Sequence, residues 1–445
     1  MYTTGKIEFD RNTLDSKKGS WVLFADMNSY FATVEQQYNY WLRGRPVGVC
    51  VYTGKYGCVI AASIEAKQKG IKTGMRLNDA MKICPDLVPV ETHPQRYREV
   101  HKKFVAVLEK YSDSVIPKSI DEAVVDISGC ELYFKDPVKV ARQIKLDIKN
   151  EIGDWIKCSI GIAPNAFLAK FASEIQKPDG LVLITHENID EILSKVKLTD
   201  LPGIKAGMAN RLFWGGIKTP VQLRHADPYK IKDSCHSIVG LYWHYRLNFK
   251  EVDQIGHRYK SMQSMRQVSR EQRKSIETLN QVFLRLCMTL EKRMVKEDVF
   301  CNEITCYITY DGGYSWSDHV ITRKPIQDGI ELMKLIQLHM AKYREIHKCE
   351  PIINNNITSM GVTVDRLTHR EVVQYEMFSK DVSKDYLRKI VYKIKDKYGS
   401  DIIMRAIELK DEDVLKDVIG FGSVKDLHNV PGAEREEKIT YEMER

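Results

Sequence analysis

Residues Trp21–Ala25 form an unbroken apolar run that stops at an acid, Asp26. Five apolar residues are too few for a helix and read as a buried strand. Asp26 then sits at the strand's C-terminal end, where the chain leaves the core and enters a cleft. A carboxylate held there suits a hard cation.

The same alternation of short strands and helical patterns continues downstream. A second apolar strand is expected at Val47–Tyr52, after Gly44 and Pro46. Helical periodicity follows at Ser63–Lys69, Leu77–Ile83 and Tyr97–Tyr111, with further strands at Ser119–Ile127 and Lys157–Ala163. This pattern predicts an α/β or α+β lobe. Residues Asn188–Val252 read as a small helical region, in which Leu201–Ile204 and Gly215–Ile217 bracket a helix. A third region opens with basic residues at His257–Lys274 and continues into a long helix at Ile276–Val299. It then alternates strands (Asn302–Thr309, Asp318–Lys324, Ile357–Val364) with another helix. The tail holds an amphipathic helix near Lys384–Lys397 and a charged end, Glu434–Arg445.

Ser119–Ile127 carries the second acidic element. On a regular strand Asp121, Ala123 and Val125 face one way, and Glu122, Val124 and Asp126 the other. Asp121 and Glu122 therefore serve one site only if the chain turns there, and a hairpin turn is expected. Together with Asp26 they make three carboxylates, enough to seat two magnesium ions with a nucleoside triphosphate between them. Taken singly, Asp26 could instead cap a helix starting near Ser29, and Asp121 and Glu122 could be a solvated turn.

Composition narrows the setting. The 445 residues suggest about three domains as a soft prior. The net charge of +8 permits an anionic partner without demanding one. Ten scattered cysteines, without a CxxC pair or zinc spacing, read as reduced thiols of a cytoplasmic protein. The polar leader, residues 1–20, has no apolar core of a signal peptide, and no segment approaches a membrane span.

Five segments, Asp26–Ala32, Gly57–Lys67, Ser119–Ile127, Ser159–Gly180 and Leu201–Gly207, resemble in order the signature segments of the Y-family (translesion) DNA polymerases, and the similarity runs from about Trp21 to Leu409. The resemblance implies an α+β right-hand polymerase. Its palm would be residues 21–30 and 93–184, its fingers 31–92, its small helical thumb 185–252 and its α/β little finger 253–370, with a tail at 371–445. It implies template-directed addition of dNTPs to a primer 3′-OH, with two Mg²⁺ ions held by Asp26, Asp121, Glu122 and the Met27 carbonyl. Asp126, on the opposite strand face, is then structural.

By the same resemblance Phe31 is the steric gate against a ribose 2′-OH, with Tyr30 beside it packing into the fold or lining the nucleotide site. Lys67 and Lys177 match positions that contact the triphosphate. Ala61, Ile64 and Lys67 stand where the bacterial polymerase IV (DinB) branch often has Thr, Tyr and Arg, and Gly57–Ala61 is closer to the UmuC branch. Leu201–Gly207 resembles a helix-hairpin-helix loop in which Gly203, Lys205 and Gly207 approach a DNA phosphate. Arg258, Lys260, Arg266 and Arg270 would track the backbone of the primer-template. Gln374, Tyr375, Met377 and Phe378 resemble the peptide with which bacterial polymerases enter the sliding clamp. A monomer is expected.

Two other classes of function share parts of this pattern. One is a clamp-tethered DNA-binding relative that has lost catalysis, against which the intact carboxylates argue. The other is a different two-metal enzyme, such as a nuclease or nucleotidyl cyclase, which Phe31 and the basic third region fit poorly.

Overall fold

The computed structural model describes residues 20–54, 57–128, 136–252, 260–374, 381–398 and 402–408. The described residues divide into two compact units, 20–252 and 260–408.

In the first unit the elements run β1 (Val22–Met27), α1 (Tyr30–Tyr38), β2 (Val47–Cys50), β3 (Val59–Ala62), α2 (Ile64–Gln68), α3 (Leu77–Ile83), β4 (Val88–Glu91), α4 (Pro94–Glu109), β5 (Val115–Pro117), β6 (Glu122–Asp126), α5 (Pro137–Glu151), β7 (Cys158–Ala163), α6 (Ala166–Ile175) and β8 (Leu181–Leu183). Five further helices follow: α7 (Ile189–Ser194), α8 (Ala206–Trp214), α9 (Pro220–His225), α10 (Pro228–Cys235) and α11 (Val239–Leu247).

The central sheet has the order β5-β6-β1-β7-β8, so β1 lies in the middle with antiparallel partners on both sides. All six β1 residues are buried. Leu23, Ala25 and Met27 share one core with Ala123, Val125, Ile160, Tyr97 and Phe104, while Val22 and Phe24 face a second core with Val124, Phe167 and Phe171. Burial on both faces explains why the strand is apolar without alternation. Helix α6 closes on β7 because residue 161 is glycine. A Cβ there would meet the Ala169 carbonyl at 2.0 Å and the Ser173 amide at 2.3 Å. A small three-stranded sheet, β3-β2-β4, packs with α2 and α3 around Cys50, Val59, Leu77 and Leu87.

The second unit holds β9 (Ser261–Gln267), α12 (Ile276–Lys296), β10 (Val299–Tyr310), β11 (Ser315–Ile326), α13 (Gly329–His347), β12 (Ile357–Asp365), β13 (Thr368–His369) and α14 (Asp381–Tyr398). Its antiparallel sheet has the order β11-β10-β12-β9, and Leu279, Phe283, Leu286 and Leu290 of α12 bury against it. The expected strands in this region all occur, each longer than its apolar kernel, and β9 forms from part of the basic stretch. Helix α14 is fastened by a buried charge network. Arg388 donates to Asp328 (3.0 Å) and Asp385 (2.6 Å), and Glu291, fully buried, accepts from the Gly329 amide and Arg405.

The nine described cysteines are unpaired. Among the described residues no helix is long and apolar enough to cross a membrane.

Candidate active site

Asp26 leaves β1 only 5% exposed, and its register partner on β6 is Glu122. Two carboxylates placed opposite each other in adjacent strands repel. Asp121 joins them through a turn. Residues 118–121 connect β5 to β6, with the Lys118 and Ser119 amides both donating to the Glu122 carbonyl (2.9 and 3.2 Å). The expected strand therefore begins at Glu122, not Ser119, and Asp121 escapes the alternation of the strand. The Met27 amide donates to the Asp121 carbonyl (2.9 Å) and the Ser119 hydroxyl donates to its carboxylate (2.6 Å), which anchors the turn beside β1. Asp26 does not cap α1; the N-cap is Ser29, in a left-handed conformation without a side-chain cap bond.

These groups line a cleft of about 650 Å³ that also contains Met27, Asn28, Tyr30, Phe31, Lys67 and Lys177. Burial raises the Asp26 carboxyl to about 6 despite the opposing pull of Lys177, and raises Asp121 as well. A cluster of carboxylates that resists ionisation where it stands is a cluster that gains from a cation. The donor set, three carboxylates and a main-chain carbonyl, is of the oxygen type that hard divalent ions prefer. As the side chains stand, no group of three His, Cys, Asp or Glu among the described residues is arranged to hold a metal ion.

Two of the carboxylates are engaged by ammonium groups. Lys177 Nζ lies 2.6 Å from Asp26 Oδ2, and Lys170 Nζ, from α6, lies 3.1 and 3.0 Å from the two oxygens of Glu122. Burial alone would lower Lys177, but the charge and hydrogen bond of Asp26 raise it on balance. Burial and the nearby Lys177 lower Lys67, which projects into the cleft from α2. Asn28 ties these parts together. Its Oδ1 accepts from the Asp179 amide (2.7 Å), its Nδ2 donates to Ser159 Oγ (3.1 Å), and Ser159 Oγ accepts from the Gly180 amide (3.1 Å). The loop that carries Lys177 is thereby pinned to β1 and β7.

Phe31 is stacked on Tyr97, with ring centroids 4.4 Å apart and planes 21° from parallel. Tyr97 is held in turn: its hydroxyl donates to the buried Glu35 (2.7 Å), which also receives Arg96 and His93. The Tyr30 hydroxyl donates to the Tyr97 carbonyl (2.5 Å), so this residue lines the cleft while its polar end is spent in the core. Sequence reasoning did not single out Lys170, Asn28, Ser159, Tyr97 or Glu35. Lys170 and Ser159 lie inside the quoted segment Ser159–Gly180, but nothing in that segment marked Lys170 as a partner of Glu122.

The remaining expected contacts lie elsewhere. Gly203 has φ +85, a conformation that favours glycine, and it precedes the start of α8, where Lys205 and Gly207 are exposed. Gly207 is not required by space, since a Cβ there meets nothing. In the second unit Lys260 and Arg270 are exposed, while Arg266, on the edge strand β9, is half-buried and lowered by burial and by Arg285. Arg258 falls outside the described residues. So do Tyr375, Met377 and Phe378; Gln374 is exposed.

Comparison with known proteins gives a consistent family. Residues 25–174 match the model of the impB/mucB/samB family, and residues 259–377 match the model of that family's C-terminal domain. A protein called DNA polymerase IV from Oceanobacillus iheyensis is 30% identical over 392 residues, which cover 86% of this chain and 90% of that protein. A DNA polymerase IV of Pelotomaculum thermopropionicum is 28% identical over 406 residues, 89% of this chain and 97% of that protein. DNA polymerase IV 1 of Bacillus subtilis is 27% identical, over 88% and 94%. Among solved structures, a Y-family DNA polymerase chimera aligns with a TM-score of 0.64 at 23% identity, covering 79% of this chain and all of that one. An insertion ternary complex of Dbh DNA polymerase aligns at 0.55 with 22% identity over the same shares. At such identities these two establish likeness of fold.

Proposed function

The chain belongs to the impB/mucB/samB family, the Y-family DNA polymerases, and we propose that it extends primer 3′-ends on a DNA template, with translesion synthesis as its role. The observation that carries this reading is the cleft itself. Three carboxylates, two lysines and the stacked Phe31 meet in one place, in a chain that matches the relatives over nearly their whole length.

In this reading the primer 3′-OH attacks the α-phosphorus of the bound dNTP, the bond to the β-phosphate oxygen breaks, and pyrophosphate leaves. Asp26, Asp121, Glu122 and the Met27 carbonyl would hold two magnesium ions, which supply activation of the attacking hydroxyl and neutralisation of the leaving oxygen. Lys67 and Lys177 would bind the triphosphate and offset the charge that develops on it. Phe31, braced by Tyr97, would close the space beside C2′ of the sugar. The β1-centred sheet with α4–α6 serves as palm, residues 31–92 as fingers, α7–α11 as thumb and residues 260–370 of the second unit as little finger. Gly203, Lys205 and Gly207 around the start of α8 would meet one DNA phosphate, and Lys260, Arg266 and Arg270 others. Gln374 would lead a clamp-binding peptide. A monomer working in the cytoplasm on primer-template DNA fits the composition and the unpaired cysteines.

Primer extension by the purified protein with dNTPs and Mg²⁺ tests the proposal. Incorporation by the parent and its loss in Asp121→Ala, with DNA binding retained, are the expected results. An inert parent, under conditions where a reference polymerase extends the same primer, would refute it.

A further inference from the structure

We infer that Lys170 is a positioning residue that competes with divalent cation for Glu122 and so sets how much metal the site requires. Lys170 is the only cation among the described residues bonded to Glu122, and it reaches both carboxylate oxygens at 3.1 and 3.0 Å. Its side chain is directed there by the Phe24 ring, whose centroid lies 5.1 Å from Nζ. Phe24 and Glu122 share one face of the sheet, the face that α6 covers, so the helix delivers Lys170 to the end of β6.

The need for such a group follows from the register. Asp26 and Glu122 stand opposite each other on neighbouring strands, and each carries its own ammonium, Lys177 and Lys170 respectively. The inference rests on the metal assignment made above. A cation seated by Glu122 must share oxygens that Lys170 holds, since both are engaged. Lys177 has a second proposed employment on the triphosphate; Lys170 has none, and Glu122 is the carboxylate to which it is hydrogen-bonded. Its positive charge also repels an incoming cation, and both effects have the same sign.

Mn²⁺ serves as the probe, with free Mn²⁺ followed by electron paramagnetic resonance during titration of the full chain. K170M is expected to bind Mn²⁺ about fivefold more tightly than the parent, the size of a partly exposed ion pair. K170R is expected to bind it more weakly, because the guanidinium fork grips a carboxylate through two N–H groups. Damage to the fold would weaken binding, so tighter binding is a result that a merely structural role does not produce. Equal or weaker binding by folded K170M overturns the inference. If circular dichroism shows K170M unfolded, K170R decides, and binding equal to or tighter than the parent's overturns it. Primer extension run in parallel separates the two claims. A parent that extends primers while all three proteins bind Mn²⁺ equally sinks the role of Lys170 alone. An inert parent with the predicted order of affinities sinks the polymerase reading alone.

Discussion

Replacing Asp26 by Asn removes a charge that the fold resists. The carboxyl of Asp26 is raised from 3.8 to about 6, chiefly because it is buried, and the favourable contribution of Lys177 is already contained in that value. Each tenfold change in proton affinity corresponds to about 1.4 kcal/mol, so ionised Asp26 destabilises the folded chain by about 3 kcal/mol at neutral pH. The sign follows from proton counting. Below pH 4 the group is protonated folded or unfolded and contributes nothing. Between pH 4 and 6 the unfolded chain ionises first, and stability is lost. Above pH 6 the loss is complete and constant. Asn keeps the shape without the charge, and the Lys177 ammonium, 38% exposed, remains solvated. In chelator at pH 7.5, Asp26→Asn is expected to melt higher than the parent by about 6–12 °C, taking about 2–4 °C per kcal/mol for a unit of this size. The gap should close as the pH falls to about 4. With Mg²⁺, dNTP and primer-template present the order should reverse, because only the parent gains ligand stabilisation. Thermal melts across this pH range give the answer. A variant less stable than the parent at pH 7.5, or a gap independent of pH, would refute the reasoning.

Phe31→Ala should admit ribonucleotides, because in the proposed reading its ring closes the space beside the sugar; unchanged discrimination between rNTP and dNTP in single-nucleotide insertion would count against the gate. Tyr97→Phe keeps the stack on Phe31 but deprives buried Glu35 of one donor, which should cost about 1–3 kcal/mol in urea unfolding. Gly161→Val should leave little folded protein, since its Cβ would overlap the Ala169 carbonyl, and a normal circular dichroism melt would show that α6 can retreat. Changing both Gln374 and Phe378 to Ala should weaken binding to the sliding clamp in a pull-down or surface-binding assay, and an unaltered affinity would remove the clamp motif from the reading.

Much of this architecture is written locally. The apolar run at Trp21–Ala25 announces a buried strand, the strand expected at Lys157–Ala163 occurs as β7, and α3 occupies the predicted Leu77–Ile83 without a residue's difference. The acid at the end of β1 was visible for the same reason, since polarity changes where a strand leaves a core. Such signals are legible because each depends on neighbours in the chain and on the burial period of a strand or helix. What one strand's period could not decide was whether Asp121 and Glu122 meet. Alternation separates them, and only the turn at 118–121, fastened to Met27, brings Asp121 round to the cleft. Lys170 and Glu122 are 48 residues apart, as Tyr97 and Glu35 are 62 apart, and neither pair leaves a mark in its own segment. Strand register, helix placement and loop closure bring such residues together. These are properties of the packed chain as a whole, so the sequence by itself offered the carboxylates, Phe31, Lys67 and Lys177 as candidates, and the tertiary structure decided which of them share a cleft and which further residues, Lys170 and Tyr97 among them, they touch.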